Sequence, residues 1–297
     1  MDGSSGAAEH RPVLADAVVR YLGVRRGGTY VDGTAGEGGH ALRILEAAGG
    51  KCRLVAVDAD PEALAAAGRR LASHRDRCRL VHASYADLAS IVGSPSGVDG
   101  ILLDLGFSSF QMNHPARGFG FGPDRLDMRY DPNLPESAED ILRRMPEEGL
   151  AKLFWELGEE PESRAVARAV ARERREAGGD WTGARLAAVV ARAKRRRRKH
   201  IHPATLVFQA LRIQVNRELE NLDRILAEAP GLLRRGGRIV IISYHSLEDR
   251  RVKTAFREGA ERGVWNVLTR KVVMATEEET RDNHRARSAK LRAAERV

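Results

Sequence analysis

Apolar and polar positions follow two alternating periods along the first third of the chain. Short, mostly apolar runs predict strands at residues 30–32, 53–58, 79–82 and 100–104. Between them, apolar residues three or four positions apart predict helices at residues 13–22, 40–48 and 62–73. Pro61 stands at or near the first position of the last helix, where its missing N–H costs nothing. Strands separated by helices are typical of a parallel, doubly wound α/β sheet.

The pattern changes near Met112. Residues 113–135 are rich in Gly, Pro, Asn and Asp, which indicates a loop. Residues 137–193 follow a helical period with no convincing strand. We therefore expect a helical insertion at residues 112–205 that interrupts an α/β domain.

The α/β pattern returns after the insertion. It predicts a long helix at residues 208–226, a turn at Gly236-Gly237 and a buried strand at 238–243. Two further strand-like runs, at residues 267–273 and 288–293, are expected to form an antiparallel pair that closes the sheet. Residues 1–111 and 206–297 would then form one discontinuous, Rossmann-like domain.

Four glycines in seven residues, including Gly36, Gly38 and Gly39, follow the first strand run. A glycine-rich turn between a strand and a helix lets the backbone approach a ligand closely, because glycine has no Cβ. The next strand ends in Asp58, 22 positions after Gly36. Nucleotide-binding α/β folds carry at this position the acid that holds ribose hydroxyls. The pairing predicts a nucleoside cofactor.

Two cofactors compete for this loop. Residues 36–41 satisfy the loose G-x-G-x-x-G/A pattern of dinucleotide-binding proteins, so the glycines alone leave NAD open. S-adenosylmethionine has no pyrophosphate and carries a sulfonium cation. The carboxylates of Asp32 and Glu37 lie close to the loop, where they disfavour a pyrophosphate and suit that cation.

The net charge of +9 and the pI near 10 come from one segment. Residues 164–199 hold thirteen Lys and Arg against three Asp and Glu. Four of the arginines recur at helical spacing, and residues 194–199 form a dense basic cluster; the four are Arg164, Arg168, Arg172 and Arg175. Such a block attracts phosphates and releases counterions on binding. Together with a cofactor site it favours a nucleic-acid substrate.

Other features narrow the class of protein. No apolar run approaches the ~20 residues of a membrane span, and the first residues lack the basic-then-apolar pattern of an export signal. Cys52 and Cys78 are isolated, which argues against a disulfide or a metal site. Neither a Walker-type phosphate loop nor an H-E-x-x-H motif is present, which argues against an NTPase or a zinc enzyme. We expect a cytoplasmic enzyme with no membrane partner.

Asp104 ends a fully apolar strand and is followed closely by two hydroxyls, Ser108 and Ser109. Ligands of open α/β sheets bind outside the carboxyl ends of the strands, so Asp104 is expected to face the same crevice as Gly36 and Asp58. A carboxylate or a hydroxyl there can accept a hydrogen bond from an exocyclic amine. That bond would orient the amine's lone pair toward a methyl donor.

Weaker candidates surround this crevice. Tyr85 follows the third strand run and is a candidate to pack against an adenine ring, or is simply a core tyrosine. Gln111 is a candidate to reach the crevice from the loop after Ser109. His40 opens a helix beside the glycines, where a histidine caps or packs as readily as it binds.

Two later segments also carry possible chemistry. Tyr244 and His245 follow the strand at 238–243 and are candidates to face a target base, while Ser246 is expected to cap the next helix. Residues 117–121, with the sequence R-G-F-G-F, interleave arginine and aromatic side chains. Such a loop can hold an unstacked base, or it can be an ordered structural loop.

Taken in order, these motifs resemble the MraW-type family of 16S ribosomal RNA methyltransferases, almost from end to end. The stretches that carry the resemblance are residues 32–40, 104–109, 117–119, 126–129, 208–213 and 245–250. Three positions depart from the family pattern. Tyr85 stands where phenylalanine is usual, Leu206 where arginine is common, and His284 where proline is usual. The change at Leu206 puts one RNA or loop contact in doubt.

The resemblance implies a class I methyltransferase fold that transfers a methyl group from S-adenosyl-L-methionine. The acceptor would be N4 of a cytosine in the decoding region of 16S rRNA, within the 30S subunit or a late assembly intermediate. The loop pattern already makes Gly36 a candidate cofactor contact. The further contacts that the resemblance implies are Gly38, Gly39, His40, Asp58, Tyr85, Asp104 and Gln111. Candidate catalytic residues are Asp104, Ser108, Ser109 and His245. Asp104, Ser108 and a backbone carbonyl all stay open as the proton acceptor.

Three rival functions remain. A nicotinamide-dependent oxidoreductase shares the glycines and Asp58 but leaves the basic insertion without a purpose. A non-catalytic RNA-binding assembly factor shares the basic insertion but has no need of a cofactor crevice. A methyltransferase acting on amino groups of another RNA or of DNA differs only in its substrate.

Overall fold

Seven short runs rich in branched apolar residues form one sheet in the computed structural model, which describes residues 12–93, 97–195 and 202–297. The strands are β1 (Thr29–Asp32), β2 (Arg53–Asp58), β3 (Cys78–His82), β4 (Val98–Asp104), β5 (Leu233–Ser243), β6 (Trp265–Val267) and β7 (Lys290–Arg296). Their order in the sheet is β3-β2-β1-β4-β5-β7-β6. Strands β1 to β5 are parallel, and β7 runs antiparallel to both β5 and β6. The predicted Rossmann-like α/β fold is confirmed.

The helices lie between and after these strands. They are α1 (Ala15–Leu22), α2 (Gly39–Ala47), α3 (Pro61–Arg70), α4 (Leu88–Val92), α5 (Ser109–Asn113), α6 (Ala138–Arg144), α7 (Glu147–Glu156), α8 (Ser163–Ala177), α9 (Gly183–Ala193), α10 (Thr205–Asn216), α11 (Glu218–Leu232), α12 (Ser246–Glu261) and α13 (Glu277–Asp282). Pro61 occupies the first turn of α3 as expected, after an Asp60 side chain that accepts two backbone N–H bonds. Within the described stretches, no helix has the length and apolarity that crossing a membrane would need.

The chain divides into two compact units. The first runs up to Gly106 and resumes at Glu220, and the second is Phe107–Leu219. In the first unit, the sheet is apolar on both faces. Leu102 packs in the cluster that includes helices α1 and α2, while its neighbours Ile101 and Leu103 pack in the cluster that includes α11 and α12. Two buried faces explain why the central strands are apolar at every position rather than at alternate ones.

The second unit is helical, as the period of its sequence predicts. Helices α6 to α10 surround a core that includes Phe154 and Trp181, both almost completely buried. In the described part of this unit, Arg125 and Thr182 form a single antiparallel β-bridge, and no β-strand is present. Its core is separate from the two clusters that flank the sheet.

The single helix expected at residues 208–226 is wrong, because the chain forms two helices that meet at Arg217. Arg217 adopts a left-handed conformation with φ of 49°. The preceding Asn216 is held by tertiary contacts: its Oδ1 accepts the N–H of Tyr130 at 2.7 Å, and its Nδ2 donates to the carbonyl oxygen of Met128 at 2.8 Å. Arg212 and Glu218 also form a buried, two-bond ion pair across the break. These contacts outweigh the helical pattern of the sequence.

The elements near the sheet edge also differ from their expected bounds. The turn expected at Gly236-Gly237 is wrong, because β5 begins at Leu233 and contains both glycines. They lie in an irregular part of the β4–β5 pairing, between the Val98–Leu233 and Gly100–Arg238 pairs. β6 ends at Val267, where the expected strand would begin. Val273 makes only an isolated bridge to Leu291. The antiparallel edge itself is present, between β6 and β7.

We expect Arg217→Gly to raise the free energy of unfolding by about 0.5–1 kcal/mol, since glycine adopts φ > 0 without the strain of a Cβ. Urea denaturation measures the change. As a control, Arg172→Gly on the exposed face of α8 should cost about 1 kcal/mol, because glycine is a poor residue inside a helix. A loss of stability at both positions would contradict the strain assigned to Arg217.

Candidate functional site

Three carboxylates stand at the carboxyl ends of three neighbouring strands. Asp32 ends β1, Asp58 ends β2 and Asp104 ends β4, and β1 lies between the other two strands in the sheet. This edge is also where the strand order changes direction, which is where open α/β sheets bind ligands. The parallel register therefore brings Asp32, Asp58 and Asp104 to one edge, although they are 26 and 46 positions apart along the chain.

The glycine-rich loop after β1 is fixed to both neighbouring strands. The Gly33 N–H donates to the carbonyl oxygen of Leu102 in β4, and the Ala35 N–H donates to that of Val57 in β2, both at 2.9 Å. A Cβ on Gly33 would lie 2.6 Å from a methyl carbon of Leu103, so the loop approaches β4 too closely for a side chain there. Gly38, with φ of 82°, turns the chain into α2.

The Asp58 carboxylate holds the loop directly. Its Oδ2 accepts the N–H of Gly36 at 2.7 Å, and its Oδ1 accepts the N–H of Asp60 at 2.8 Å. Burial raises the pKa of Asp58 to about 6, although both N–H groups favour the charged form. The structure thus joins Gly36 to Asp58, the pair that the sequence singled out. Each carboxylate oxygen still has a lone pair with which to accept a ligand hydroxyl.

Asp104 is oriented by groups from three other elements. The Tyr244 hydroxyl, after β5, donates to Asp104 Oδ1 at 2.7 Å. The Asp104 N–H donates to Thr34 Oγ1 in the glycine-rich loop at 2.6 Å. His40 Nε2, in α2, lies 3.4 Å from Asp104 Oδ2. These contacts hold the Asp104 carboxylate in one place at the strand edge.

Asp32 is the most deeply buried of the three carboxylates, with no exposed surface. Its Oδ1 accepts the N–H of Thr34 at 3.2 Å, but its Oδ2 has no partner among the described residues. The ring nitrogens of nearby His40 also lack a hydrogen bond in the described part of the chain. Burial raises the pKa of Asp32 to about 7, because the opposing effects of His40 and the Thr34 N–H do not offset the lost hydration.

Tyr244 and His245 lead into α12. Glu248 is buried, and its Oε2 accepts the N–H of Tyr244 at 2.9 Å and that of His245 at 3.4 Å. The expected cap at Ser246 is wrong: His245 holds the N-cap position, with Glu248 three residues on. Burial, together with the nearby Asp104 carboxylate, raises the pKa of Tyr244 well above its usual value. The Tyr244 hydroxyl therefore stays protonated as a donor to Asp104.

Two other candidates of the first unit sit beside this network. His245 is nearly buried, and its Nε2 lies 3.2 Å from Glu248 Oε1. Tyr85 begins a short 3₁₀ turn after β3, and its Cβ would lie 3.1 Å from a Cβ placed on Gly33. Tyr85 is therefore next to the start of the glycine-rich loop, while its role toward a ligand stays a prediction.

Ser108 and Gln111 belong to the second unit, where they form a capping box on α5. Ser108 Oγ accepts the N–H of Gln111 at 3.3 Å, and Gln111 Oε1 accepts the N–H of Ser108 at 2.8 Å. This reciprocal pair is a sufficient structural reason for both residues. The side chain of Ser109 lies outside the described part of the chain. The catalytic and cofactor roles predicted for the three residues stay predictions.

Arg117 and Phe119 of the R-G-F-G-F loop contact neighbouring parts of the second unit, while Phe121 is 41% exposed and stacks on His202. The Phe119 ring stacks on Phe107 at 5.9 Å and on Tyr130 at 5.7 Å between ring centroids. Arg117 Nη2 donates to the carbonyl oxygens of Arg129 and Tyr130. Because Phe119 already stacks on two rings and Arg117 is bound to backbone, the structural interpretation of this loop is favoured over a base-binding one.

The basic segment divides into exposed and paired residues. The four arginines at helical spacing are exposed on α8. Lys194 is instead nearly buried, and its Nζ donates to Glu160 Oε2 at 2.6 Å and to the carbonyl oxygen of Pro203. Including Lys194 in a phosphate-binding cluster is therefore wrong. Residues 196–199 of that cluster lie outside the described residues.

Sequence reasoning missed Thr34 and Glu248. Thr34 links Asp32 to Asp104. Its N–H donates to the Asp32 carboxylate, and its Oγ1 accepts the backbone N–H of Asp104. Glu248 orders the turn that carries Tyr244. The available signals were a hydroxyl two residues after the end of β1 and an acid at the third position of a helix.

The chemistry of the edge favours a cationic ligand. Three carboxylates converge on it, two of them have raised pKa values, and one buried oxygen of Asp32 has no hydrogen-bond partner within the described structure. A cation would stabilise the ionised carboxylates, whereas a pyrophosphate would be repelled by them. The loop N–H of Gly36 is already bound to Asp58, which further disfavours a phosphate on that donor.

Residues 7–297 match the sequence model of the MraW methylase family. Three relatives, each named ribosomal RNA small subunit methyltransferase H, are similar over nearly the whole chain. That of Acidobacterium capsulatum is 47% identical over 295 residues, covering 97% of this chain and 98% of the relative. Those of Thermomicrobium roseum and Koribacter versatilis are 46% and 45% identical over 308 and 300 residues; each covers 97% of this chain and 94% of the relative.

We expect Asp32→Asn to be more stable than the wild type at pH 8 and much closer to it at pH 5. The folded protein keeps the Asp32 proton up to about pH 7, whereas an unfolded aspartate loses it near its ordinary pKa of 3.8. Folding therefore binds protons between these values, and wild-type stability falls as pH rises, by about 3 kcal/mol from pH 5 to 8 for this group. Asparagine does not ionise and escapes the loss.

Urea denaturation at the two pH values measures the effect. Asp282→Asn, at an exposed position in α13, is the matched control and should change stability little at either pH. Equal stability differences for Asp32→Asn at pH 5 and pH 8 would contradict a buried Asp32 of raised pKa.

Proposed function

Because the chain belongs to the MraW methylase family, we propose that it is an S-adenosylmethionine-dependent methyltransferase acting on the RNA of the small ribosomal subunit. The family match over residues 7–297 and the relatives' shared name support this substrate class. The observation that carries the cofactor is the set of converging carboxylates, since S-adenosylmethionine is a cation with a ribose. An RNA substrate within the 30S subunit or a late assembly intermediate would place the reaction in the cytoplasm.

The residues at the strand edge fit this cofactor. Asp58, at the end of β2, would accept hydrogen bonds from the ribose hydroxyls. We place the ligand's amino-acid end at the glycine-rich turn, against the partly exposed Gly39, with the buried Gly38 and His40 on either side of it along the chain. Bound S-adenosylmethionine supplies an electrophilic methyl group. NAD, which would bring a pyrophosphate to these carboxylates, fits less well.

The finer proposal is that the acceptor is N4 of a cytosine in the decoding region of 16S rRNA. It rests on the family resemblance of the motifs at residues 104–109 and 245–250. An exocyclic amine is a weak nucleophile, so the rate must come from alignment and from a hydrogen bond that strengthens as positive charge develops on the nitrogen. The base must also leave its stack, at a cost of a few kcal/mol.

Asp104 is the proposed acceptor of that hydrogen bond and of the amine's proton. Its carboxylate is held by the Tyr244 hydroxyl at 2.7 Å and lies 3.4 Å from His40 Nε2, and it retains lone pairs for the amine. Tyr244, whose pKa is raised, stays a donor and cannot compete for the proton. Ser108 Oγ already accepts a hydrogen bond in the capping box, so we consider it a weaker candidate for the proton acceptor than Asp104.

The direct experiment is transfer of labelled methyl from S-adenosylmethionine to 30S subunits that lack their native modifications, followed by nucleoside analysis. We expect label in N4-methylcytidine. Label in a different nucleoside would keep the methyltransferase and overturn the N4-cytosine proposal. Absence of label from 30S subunits, 16S rRNA and assembly intermediates alike would overturn the rRNA substrate.

Tyr244→Phe should lower kcat by roughly 10–100-fold, because a hydrogen bond to a charged group contributes about 1.5–3 kcal/mol. The KM for S-adenosylmethionine should change little, since Tyr244 acts through Asp104. Tyr21→Phe, which removes a hydroxyl from α1, is the matched control and should leave kcat unchanged. A Tyr244→Phe variant with unchanged kcat, or with a loss confined to KM, would contradict the positioning role.

A further inference from the structure

Helix α8 presents a row of four arginines to solvent. Arg164, Arg168, Arg172 and Arg175 are all exposed, at intervals of four, four and three residues. The opposite face of the helix is buried through Val166, Ala167, Val170 and Ala171. With a rise of 1.5 Å per residue, the row extends roughly 16 Å, and successive arginines lie about 4.5–6 Å apart along the helix axis. We call these four residues the arginine row.

The arginine row makes little contact with carboxylates. Several other arginines of its unit are instead bound through their guanidinium groups to carboxylates or carbonyl oxygens, as at Arg125, Arg143, Arg174, Arg185 and Arg212. Among the described residues, the row's ion contacts are limited to one from Arg168 to Glu147, at 3.7 Å. Four closely spaced cations that share a single carboxylate contact among the described residues repel one another. A polyanion would relieve that repulsion.

An exposed tryptophan lies on the adjacent helix. Trp155, in the last turn of α7, is 59% exposed, whereas the other two tryptophans, Trp181 and Trp265, are buried. Residues 157–162 connect α7 to α8, and the Arg168–Glu147 contact shows that the two helices are neighbours. Because Trp155 is 59% exposed, much of its indole ring contributes no buried apolar surface to the fold. Surfaces that bind single-stranded nucleic acid combine such rings with a basic track.

We propose that the arginine row and Trp155 form an RNA-binding surface, in which the arginines pair with consecutive phosphates and the indole stacks on an unpaired base. The choice of RNA over an acidic protein rests on the proposed function and on the combination of evenly spaced guanidinium groups with a stacking ring. None of its residues is among those that would hold the cofactor. It would contribute substrate affinity without taking part in the chemistry.

The test compares RNA binding by the wild type and by a variant with alanine at all four positions of the arginine row. Fluorescence anisotropy with a labelled RNA hairpin carrying an unpaired loop gives the affinity over a range of salt concentrations. The slope of log K against log salt should fall by roughly 3, because each lost phosphate contact removes about 0.7–0.9. Alanine preserves the helix, and unchanged calorimetric binding of S-adenosylmethionine checks that the fold is intact.

A matched control removes the same charge from the first unit, with alanine at four exposed arginines: Arg26, Arg75, Arg235 and Arg262. The control should retain most of the salt slope. If both variants lose affinity equally, net charge rather than the row is responsible and the proposal fails. Unchanged RNA binding by the row variant also overturns the proposal, and an acidic protein would then be the partner to test for this surface.

Trp155 has its own readout. RNA should quench its fluorescence in the wild type and not in Trp155→Phe, because the remaining tryptophans are buried. Trp155→Ala should bind RNA about tenfold more weakly, and Trp155→Phe should recover most of that loss. Equal affinity of Trp155→Ala and the wild type would remove the indole from the surface.

These measurements are independent of methyl transfer. A wild type that binds RNA through the row but methylates no ribosomal RNA would refute the proposed function and keep the surface. Normal methylation of 30S subunits, together with RNA binding that does not depend on the arginine row, would keep the proposed function and refute the surface.

Discussion

The convergence of three carboxylates at one edge of the sheet, with Asp32 buried and Asp58 and Asp104 half-buried, is the constraint around which the first unit is organised. Removing a charge from water is costly unless hydrogen bonds or an opposite charge replace the hydration. Here backbone N–H groups and the Tyr244 hydroxyl satisfy Asp58 and Asp104, while Asp32 keeps an unpaired oxygen within the described structure. In the proposed function, the sulfonium cation of S-adenosylmethionine would compensate this cost, which would couple cofactor affinity to the architecture of the strand ends.

The network that supports these carboxylates explains several features of the sequence together. Glycine at position 33 permits the close approach to β4, and Thr34 then connects the backbone of Asp104 to the side chain of Asp32. Glu248, inside α12, orders the turn that delivers Tyr244. A loop, two strand ends and a helix start thus depend on one another, so that a change in any of them would alter the position of a carboxylate.

Much of this arrangement could be predicted because it depends on local pattern. Apolar runs ending in aspartate located the strand edge, and the separation of Gly36 from Asp58 singled out two residues that the structure joins by a hydrogen bond. What could not be predicted depends on distant contacts. The helix break at Arg217 follows from the bond of Asn216 to Tyr130, 86 positions away, and the burial of Lys194 follows from Glu160, 34 positions away. Neither partner can be read from residue types alone.

The central claim is that the strand edge selects a cationic nucleoside over an anionic one. Calorimetric titration of the wild-type protein with S-adenosylmethionine and, separately, with NADH tests it most directly. We predict saturable one-to-one binding of S-adenosylmethionine and no binding of NADH at the same concentrations, because the carboxylates repel a pyrophosphate. Binding of NADH without binding of S-adenosylmethionine would contradict the account and point to an oxidoreductase.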